Sequence, residues 1–117
     1  LWRRQRLQRV RRRLIDALAK LESDFLRERS SEHLARISLL VRRLALARFP
    51  RARVAALTGG EWLKFLDESG GRGQFSSGPG RLLASVPYQR SLPRDMDIGS
   101  FVAIVRDWVE SNTRHLA

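Results

Sequence analysis

The fold is decided by residues 44–68, LALARFPRARVAALTGGEWLKFLDE. Pro50 ends one predicted helix, because its ring disfavours helical geometry at Phe49 and it has no N–H to donate. Proline also suits the first turn of a new helix, which predicts a short one over 51–57. Residues 58–61, TGGE, then match a capping box, in which the threonine hydroxyl and the glutamate carboxylate each accept from a free N–H. Three helices therefore meet in this stretch.

Outside this stretch, apolar residues that recur every three or four positions predict longer helices. The first covers about 3–28, and the second follows a break at 29–31, where Ser30 or Ser31 is the expected N-cap. The helix that starts after Thr58 should stop at the glycine pair 70–71. The last should start at Asp95 or Asp97 and run to about residue 114.

The sequence therefore predicts an all-α fold: a compact helical bundle of about four main helices plus short helices. An irregular Gly/Pro-rich segment, 71–94, should pack on the bundle, with a short helix over 79–85. We expect two parts, a basic segment at 1–13 that continues into helix one and a single helical domain at 14–117. The expected structural core comprises Phe49, Pro50, Leu57, Thr58, Trp62, Leu63, Leu66, Tyr88, Phe101, Val105 and Trp108.

Scattered charges in the body are predicted to be solvated, as such charges usually are. In the second helix, Leu39 and Leu46 are expected to widen the apolar stripe. The residues assigned to solvent are His33, Arg36, Arg42, Arg43, Arg48, Arg106, Asp107 and Glu110.

Charge is distributed very unevenly along the chain. The 117 residues hold 23 basic and 12 acidic side chains, a formal net charge of +11. Residues 1–13 contain seven arginines and no acid, which leaves 16 basic against 12 acidic residues in the remainder. Most of the net positive charge therefore lies in residues 1–13, and the remaining residues carry a net charge of only +4.

This start resembles the cytoplasmic end of a membrane-spanning helix, where tryptophan favours the interface and arginine clusters resist translocation. We expect an anionic membrane surface to contact Trp2, Arg3, Arg4, Arg6, Arg9, Arg11, Arg12 and Arg13. The expected location is the cytoplasmic face of a membrane, with a transmembrane helix upstream. Two alternatives remain: a solvated basic helix, and a nucleic-acid-binding helix that recognises phosphates. The second lacks the interleaved aromatic residues of a single-strand binder.

No pattern of residues predicts an enzyme, a metal site or a cofactor. The chain has no cysteine, and its histidines, His33 and His115, lie at predicted helix ends with no partner near them in sequence. The glycine pair 59–60 lacks the strand and the Gly-Lys-Ser/Thr ending of a phosphate-binding loop. A deep pocket lined by Asp67, Glu68 and Asp95 would favour an enzyme instead.

Several segments resemble a bacterial family of small single-span membrane proteins that carries only a domain-of-unknown-function label. The resemblance lies in residues 46–50 (LARFP), 54–59 (VAALTG), 62–63, 65–67, Phe75, 78–80 (GPG), Leu82, 87–88 and the last helix with Trp108. Genes of that family typically lie beside a MoxR-type AAA+ ATPase and Bat-like von Willebrand factor A-domain proteins. The resemblance implies a non-enzymatic, membrane-tethered accessory module with those proteins as partners, and it implies no catalytic residue.

Overall fold

The computed structural model describes residues 2–84, 92 and 97–114, and within these ranges the chain is helical, with no strand. Seven helical segments follow one another in this part of the chain. They are α1 (Trp2–Arg27), α2 (Ser31–Arg48), α3 (Arg51–Val54), α4 (Gly59–Leu66), a π-turn (Asp67–Gly71), a 3-10 helix (Pro79–Ala84) and α5 (Ile98–Thr113). The predicted all-α bundle of four main helices plus short ones is confirmed.

The core lies where α1, α2 and α5 pack against one another, and α4, the π-turn and the 3-10 helix complete it. Phe25 of α1 and Phe101 of α5 meet edge to face with 5.9 Å between ring centroids. Burying a large apolar side chain stabilises a fold by about 1.5 to 3 kcal/mol before conformational entropy is subtracted. This three-helix contact therefore holds α1 to the body.

Only the second half of α1 takes part in that packing. Its buried residues are Leu18, Glu22 and Phe25, and Leu14 is partly buried against the core. Every described residue before Leu14 is exposed or half-buried. The first half of α1 therefore projects from the body as a helix with little of the fold around it.

The predicted helix boundaries are largely confirmed. The hydroxyl oxygen of Ser30 accepts from the backbone N–H of His33 at 3.1 Å, and Asp97 caps α5 in the same way through Ser100. Pro50 precedes a short α3 that is only one turn long. The predicted helix over 79–85 is the 3-10 helix, which ends at Ala84.

The capping box at residues 58–61 is not formed. Thr58 occupies the N-cap position of α4, but its side chain makes no capping hydrogen bond. Gly59, the first residue of α4, has a left-handed backbone with φ of 53°. This non-helical residue displaces the following amides from the Thr58 hydroxyl, so the box prediction is wrong.

Burial separates the predicted core residues into three groups. Six are buried: Trp62, Leu63, Leu66, Phe101, Val105 and Trp108. Phe49 and Leu57 are half-buried and pack on the core, whereas Pro50 and Thr58 are exposed, because they shape helix ends rather than fill space. Tyr88 lies outside the described residues. Leu39, expected in the apolar stripe of α2, is 49% exposed, so that prediction is wrong.

The Gly/Pro-rich segment is packed on the body in its described part, 71–84, as predicted. Phe75 is fully buried, and the Asp67 carboxylate accepts from the backbone N–H groups of Phe75 and Ser76 at 2.8 and 3.0 Å. Gly71 allows this close approach, since a Cβ there would clash with the Phe75 ring and lie 2.8 Å from the Leu66 carbonyl oxygen. The loop is therefore closed by one carboxylate and one aromatic side chain.

Candidate functional site

The projecting first half of α1 is the most strongly charged surface of the described chain. We call residues 2–13 the basic collar. Trp2 is 67% exposed, and the guanidinium of Arg6 lies 5.7 Å from the centroid of its ring. The exposed arginines are Arg3, Arg4, Arg6, Arg9, Arg12 and Arg13. None of them forms an ion pair with any residue that the structure describes.

Arg11 differs from the other arginines of the basic collar. It lies on the side of α1 that continues toward Leu14 and Leu18, and it is half-buried. Its Nε is fully buried and has no hydrogen-bond partner in the described part of the chain. Of the seven arginines expected at a membrane surface, six are therefore exposed, whereas Arg11 is turned toward the body.

Three shallow grooves run along the basic collar, and the described residues that line them all belong to α1. They pass between neighbouring side chains such as Gln8 and Arg12, or Trp2 and Arg9. No other described element therefore contributes to these grooves.

Arg42 was predicted to be solvated, and that prediction is wrong. Its guanidinium donates to the carbonyl oxygens of Val54 and Leu57 at 3.3 and 2.9 Å, and it lies 3.8 Å from the centroid of the Trp62 ring. Burial lowers the pKa of Arg42, although an arginine remains charged at neutral pH. Arg42 thus joins α2, the end of α3 and α4, and it covers the face of Trp62, which is only 2% exposed.

A second arginine continues this arrangement on the same side of the molecule. Arg53 lies 5.8 Å from the ring centroid of Phe49 and 5.2 Å from that of Phe65. It also approaches the Glu68 carboxylate at 3.9 Å. Glu68 is thus engaged by an arginine at the surface.

Arg106 was also predicted to be solvated, but it pairs with Glu22 across the α1–α5 contact. The Glu22 carboxylate accepts from both Nε and one terminal nitrogen of Arg106, the former at 3.2 Å. Glu22 is 2% exposed, whereas the Arg106 side chain is 53% exposed. The hydrogen bond and the charge of Glu22 raise the pKa of Arg106.

This pair was missed although the sequence carries a signal for it. Glu22 lies four residues after Leu18 and three before Phe25, so it belongs to the buried stripe of α1. A carboxylate at such a position requires a partner. Arg106 one turn from Val102 and Val109 was an available partner on the last helix.

A groove of about 300 Å³ lies between the π-turn and α5. Its lining residues are Gly70, Gly71, Arg72, Gln74, Ile104, Asp107, Ser111 and Arg114. Asp67 and Glu68, two of the acids that would have indicated an enzyme, are not among them, and Asp95 lies outside the described residues. Asp67 instead closes the loop at Phe75.

The remaining candidate ligands have local partners or lie outside the described residues. The ring Nδ1 of His33 lies 2.6 Å from the Ser30 hydroxyl oxygen, within the N-cap of α2, and His115 lies outside the described residues. The described chain contains no group of three or more His, Cys, Asp or Glu side chains placed to hold a metal ion. Among the same residues, no helix has both the length and the apolar character needed to cross a bilayer.

Comparisons with known proteins identify a family for this chain but no individual curated protein or solved structure that is similar to it. No curated protein and no solved structure matches it significantly. A family model described as "Domain of unknown function (DUF4381)" matches residues 1–111, so the match includes the basic collar as well as the helical body. The chain belongs to this domain-of-unknown-function family, DUF4381.

Proposed function

We propose that this chain is a non-enzymatic interaction module held on the cytoplasmic face of the bacterial inner membrane. In this proposal the basic collar contacts anionic lipid head groups, a transmembrane helix precedes it, and the helical body binds partner proteins. The observation that carries the proposal is the uneven distribution of charge. Six exposed arginines without ion-pair partners among the described residues project from a body that holds 16 basic and 12 acidic residues.

The chemistry of the basic collar supports attachment to a membrane. Each arginine near an anionic bilayer surface contributes about 1 kcal/mol of binding. Arginine at a helix N-terminus opposes the helix dipole, and like charges four residues apart repel each other. Phosphate groups around the collar would relieve both effects. Trp2, exposed at the outer end, has the amphipathic ring favoured at the bilayer interface.

The interaction role is supported by what the candidate chemical groups do in the fold. Asp67 closes a loop, Glu22 joins two helices through Arg106, and His33 takes part in a helix cap. These side chains therefore have structural tasks. A tether would confine the body to the membrane plane and raise its effective concentration for a partner there.

The proposed partners are a MoxR-type AAA+ ATPase and von Willebrand factor A-domain proteins, on the strength of the resemblance described above. The test is affinity purification of the natural full-length protein from detergent-solubilised membranes, followed by mass spectrometry. We expect both partner classes to be enriched over a purification of an unrelated tethered protein. Recovery of the bait from the membrane fraction without either class would contradict the partner assignment.

Nucleic-acid binding is the second candidate, because the same exposed arginines could contact a phosphate backbone. True phosphate contacts weaken steeply with salt, roughly in proportion to the number of phosphates neutralised. A titration of duplex and single-stranded DNA and RNA at low salt separates the two candidates. Binding that is tight at low salt and lost with a steep salt slope would favour nucleic acid, whereas no binding at low salt eliminates it.

A further inference from the structure

We propose that the basic collar meets the bilayer end-on, with the axis of α1 close to the membrane normal, so that head groups surround the helix. This inference rests on the proposed membrane attachment and adds its geometry. It assigns the collar a single occupant, the phosphate layer of an anionic bilayer. The alternative geometry is a helix that lies flat in the interface.

Every residue of the collar is exposed except Leu7 and Arg11, which are half-buried. Its grooves are lined by α1 side chains alone among the described residues. The body begins at Leu14, the first residue of α1 that packs on the core. Lipid could therefore approach the collar without displacing any described part of the fold.

The arginines of the collar are distributed around the whole circumference of the helix. At about 100° per residue, Arg9 and Arg13 lie on one side, and Arg3 and Arg4 lie on other sides, with Arg12 between. No wide sector of the collar lacks an arginine. This all-round distribution suits a helix that passes through a layer of phosphates along its own axis.

The collar has no continuous apolar face on which it could lie flat in the interface. Interfacial helices bury one continuous apolar face and keep their charges on the other. The apolar residues of the collar are Trp2, Leu7 and Val10. At about 100° per residue, Arg3 falls between Leu7 and Val10, so a flat orientation would push a guanidinium toward the acyl chains.

The length of the collar is also compatible with the end-on geometry. The collar of residues 2–13 is about 17 Å long at a rise of about 1.5 Å per residue. The head-group layer of one leaflet is roughly 5 to 8 Å thick, and the surface field persists for about 8 Å beyond it at physiological salt. An end-on collar therefore keeps all its arginines within reach of the anionic surface. It also holds the body clear of the lipid, free to bind protein.

The test uses fluorescent labels on the natural full-length protein in vesicles of phosphatidylcholine and phosphatidylglycerol. Residues 1–117 contain no cysteine. In a full-length background in which any cysteine outside these residues is replaced by serine, Gln8→Cys, Val10→Cys and Ala17→Cys each provide one label at an exposed site. Energy transfer to acceptor-labelled head groups then reports the distance of each site from the membrane surface. Gln8 and Val10 lie on nearly opposite sides of α1 at similar height, whereas Val10 and Ala17 share a side two turns apart.

The end-on geometry predicts that Gln8 and Val10 are equally far from the head groups and that Ala17 is about 10 Å farther. Equal distances for Val10 and Ala17, with Gln8 differing by about a helix width, would show a flat helix and overturn this inference while leaving membrane attachment intact. Absence of vesicle-dependent transfer at all three sites would overturn the membrane proposal itself.

Discussion

At the scale of single residues, Arg42 is the arginine whose role differs most from expectation. Its two hydrogen bonds and its contact with Trp62 join three helices in one place. Hydrogen bonds to charged groups contribute about 1.5 to 3 kcal/mol, and a cation–π contact about 0.5 to 2. Because Arg42 is half-buried, water can replace part of the hydrogen bonding that the carbonyl oxygens of Val54 and Leu57 lose when its side chain is removed.

We therefore predict that Arg42→Ala lowers the free energy of unfolding by about 2 to 3 kcal/mol, measured by urea denaturation. Arg42→Lys should rescue only part of this loss, since lysine lacks the planar fork that reaches two carbonyl groups. Arg43→Ala is the matched control: the neighbouring arginine is exposed, and its removal should change stability by less than about 0.5 kcal/mol. Equal effects of the two alanine substitutions would contradict the role given to Arg42.

The pair of Glu22 and Arg106 makes a second prediction at this scale. Glu22 is buried, and its Oε1 has no hydrogen-bond partner among the described residues. Arg106, which donates to the other carboxylate oxygen, is therefore the group that compensates for burying this charge. A double-mutant cycle with Glu22→Gln and Arg106→Gln should give a coupling energy of about 1 to 3 kcal/mol. The exposed pair of Glu32 and Arg36 serves as control and should give no more than about 0.5 kcal/mol. Comparable coupling in both cycles would show that burial adds nothing to the first.

At the scale of elements, the path from α4 to the packed loop depends on one glycine. We predict that Gly71→Ala prevents stable folding or costs more than about 3 kcal/mol, because the added Cβ would meet the Phe75 ring and the Leu66 carbonyl oxygen. Gly60→Ala provides the control, since a Cβ there meets nothing within 4 Å. It should be neutral or stabilising, as alanine favours helix more than glycine does. Thermal unfolding of both variants by circular dichroism checks the contrast.

The start of α5 should respond to acid through Asp97. Hydrogen bonds from the side chain and backbone of Ser100 lower the pKa of Asp97. Its ionised carboxylate therefore stabilises the fold above the ordinary aspartate pKa of about 4, and this contribution is lost as pH falls through the lower folded value. We predict that Asp97→Ala is less stable than the wild type at pH 7 and that the difference shrinks below about pH 4. A stability difference between Asp97→Ala and the wild type that persists unchanged at pH 2 would contradict a role for the ionised carboxylate. The control is Asp16→Ala, which removes a carboxylate from an exposed site within α1.

The main elements could be predicted from the sequence because their signals are local. Ser30, Pro50 and Asp97 mark helix ends through their own backbone and side-chain chemistry, and the structure agrees with each. The capping box failed because its pattern does not encode the left-handed backbone at Gly59. Local patterns thus indicate where a helix begins but not which groups accept hydrogen bonds from the free N–H groups of its first turn.

At the scale of the whole molecule, what the sequence could not show was the pairing of distant charges. Arg42 contacts carbonyl groups 12 and 15 residues away, and Glu22 contacts Arg106 across 84 residues. Such contacts depend on the angles at which helices cross, and the spacing of apolar residues along one helix does not indicate these angles. The basic collar was predictable for the opposite reason: its arginines lie close together in the sequence. No acidic residue in the described part of the chain forms an ion pair with them.

In the proposed function, the position of these arginines, rather than the net charge alone, would give the protein an affinity for anionic membranes. Two variants with the same change in charge separate these causes. One replaces Arg3, Arg4, Arg6 and Arg9 of the basic collar with glutamine. The other replaces four exposed arginines of the body: Arg29, Arg43, Arg51 and Arg81.

The most direct measurement is equilibrium co-sedimentation of residues 1–117, and of both variants, with phosphatidylcholine vesicles of increasing phosphatidylglycerol content. At about 1 kcal/mol per arginine, the collar variant should bind on the order of 100- to 1,000-fold more weakly than the wild type. The body variant should stay within about tenfold of the wild type, as expected for arginines held away from the surface field. Equal losses in the two variants, or no binding of the wild type to anionic vesicles, would contradict the account.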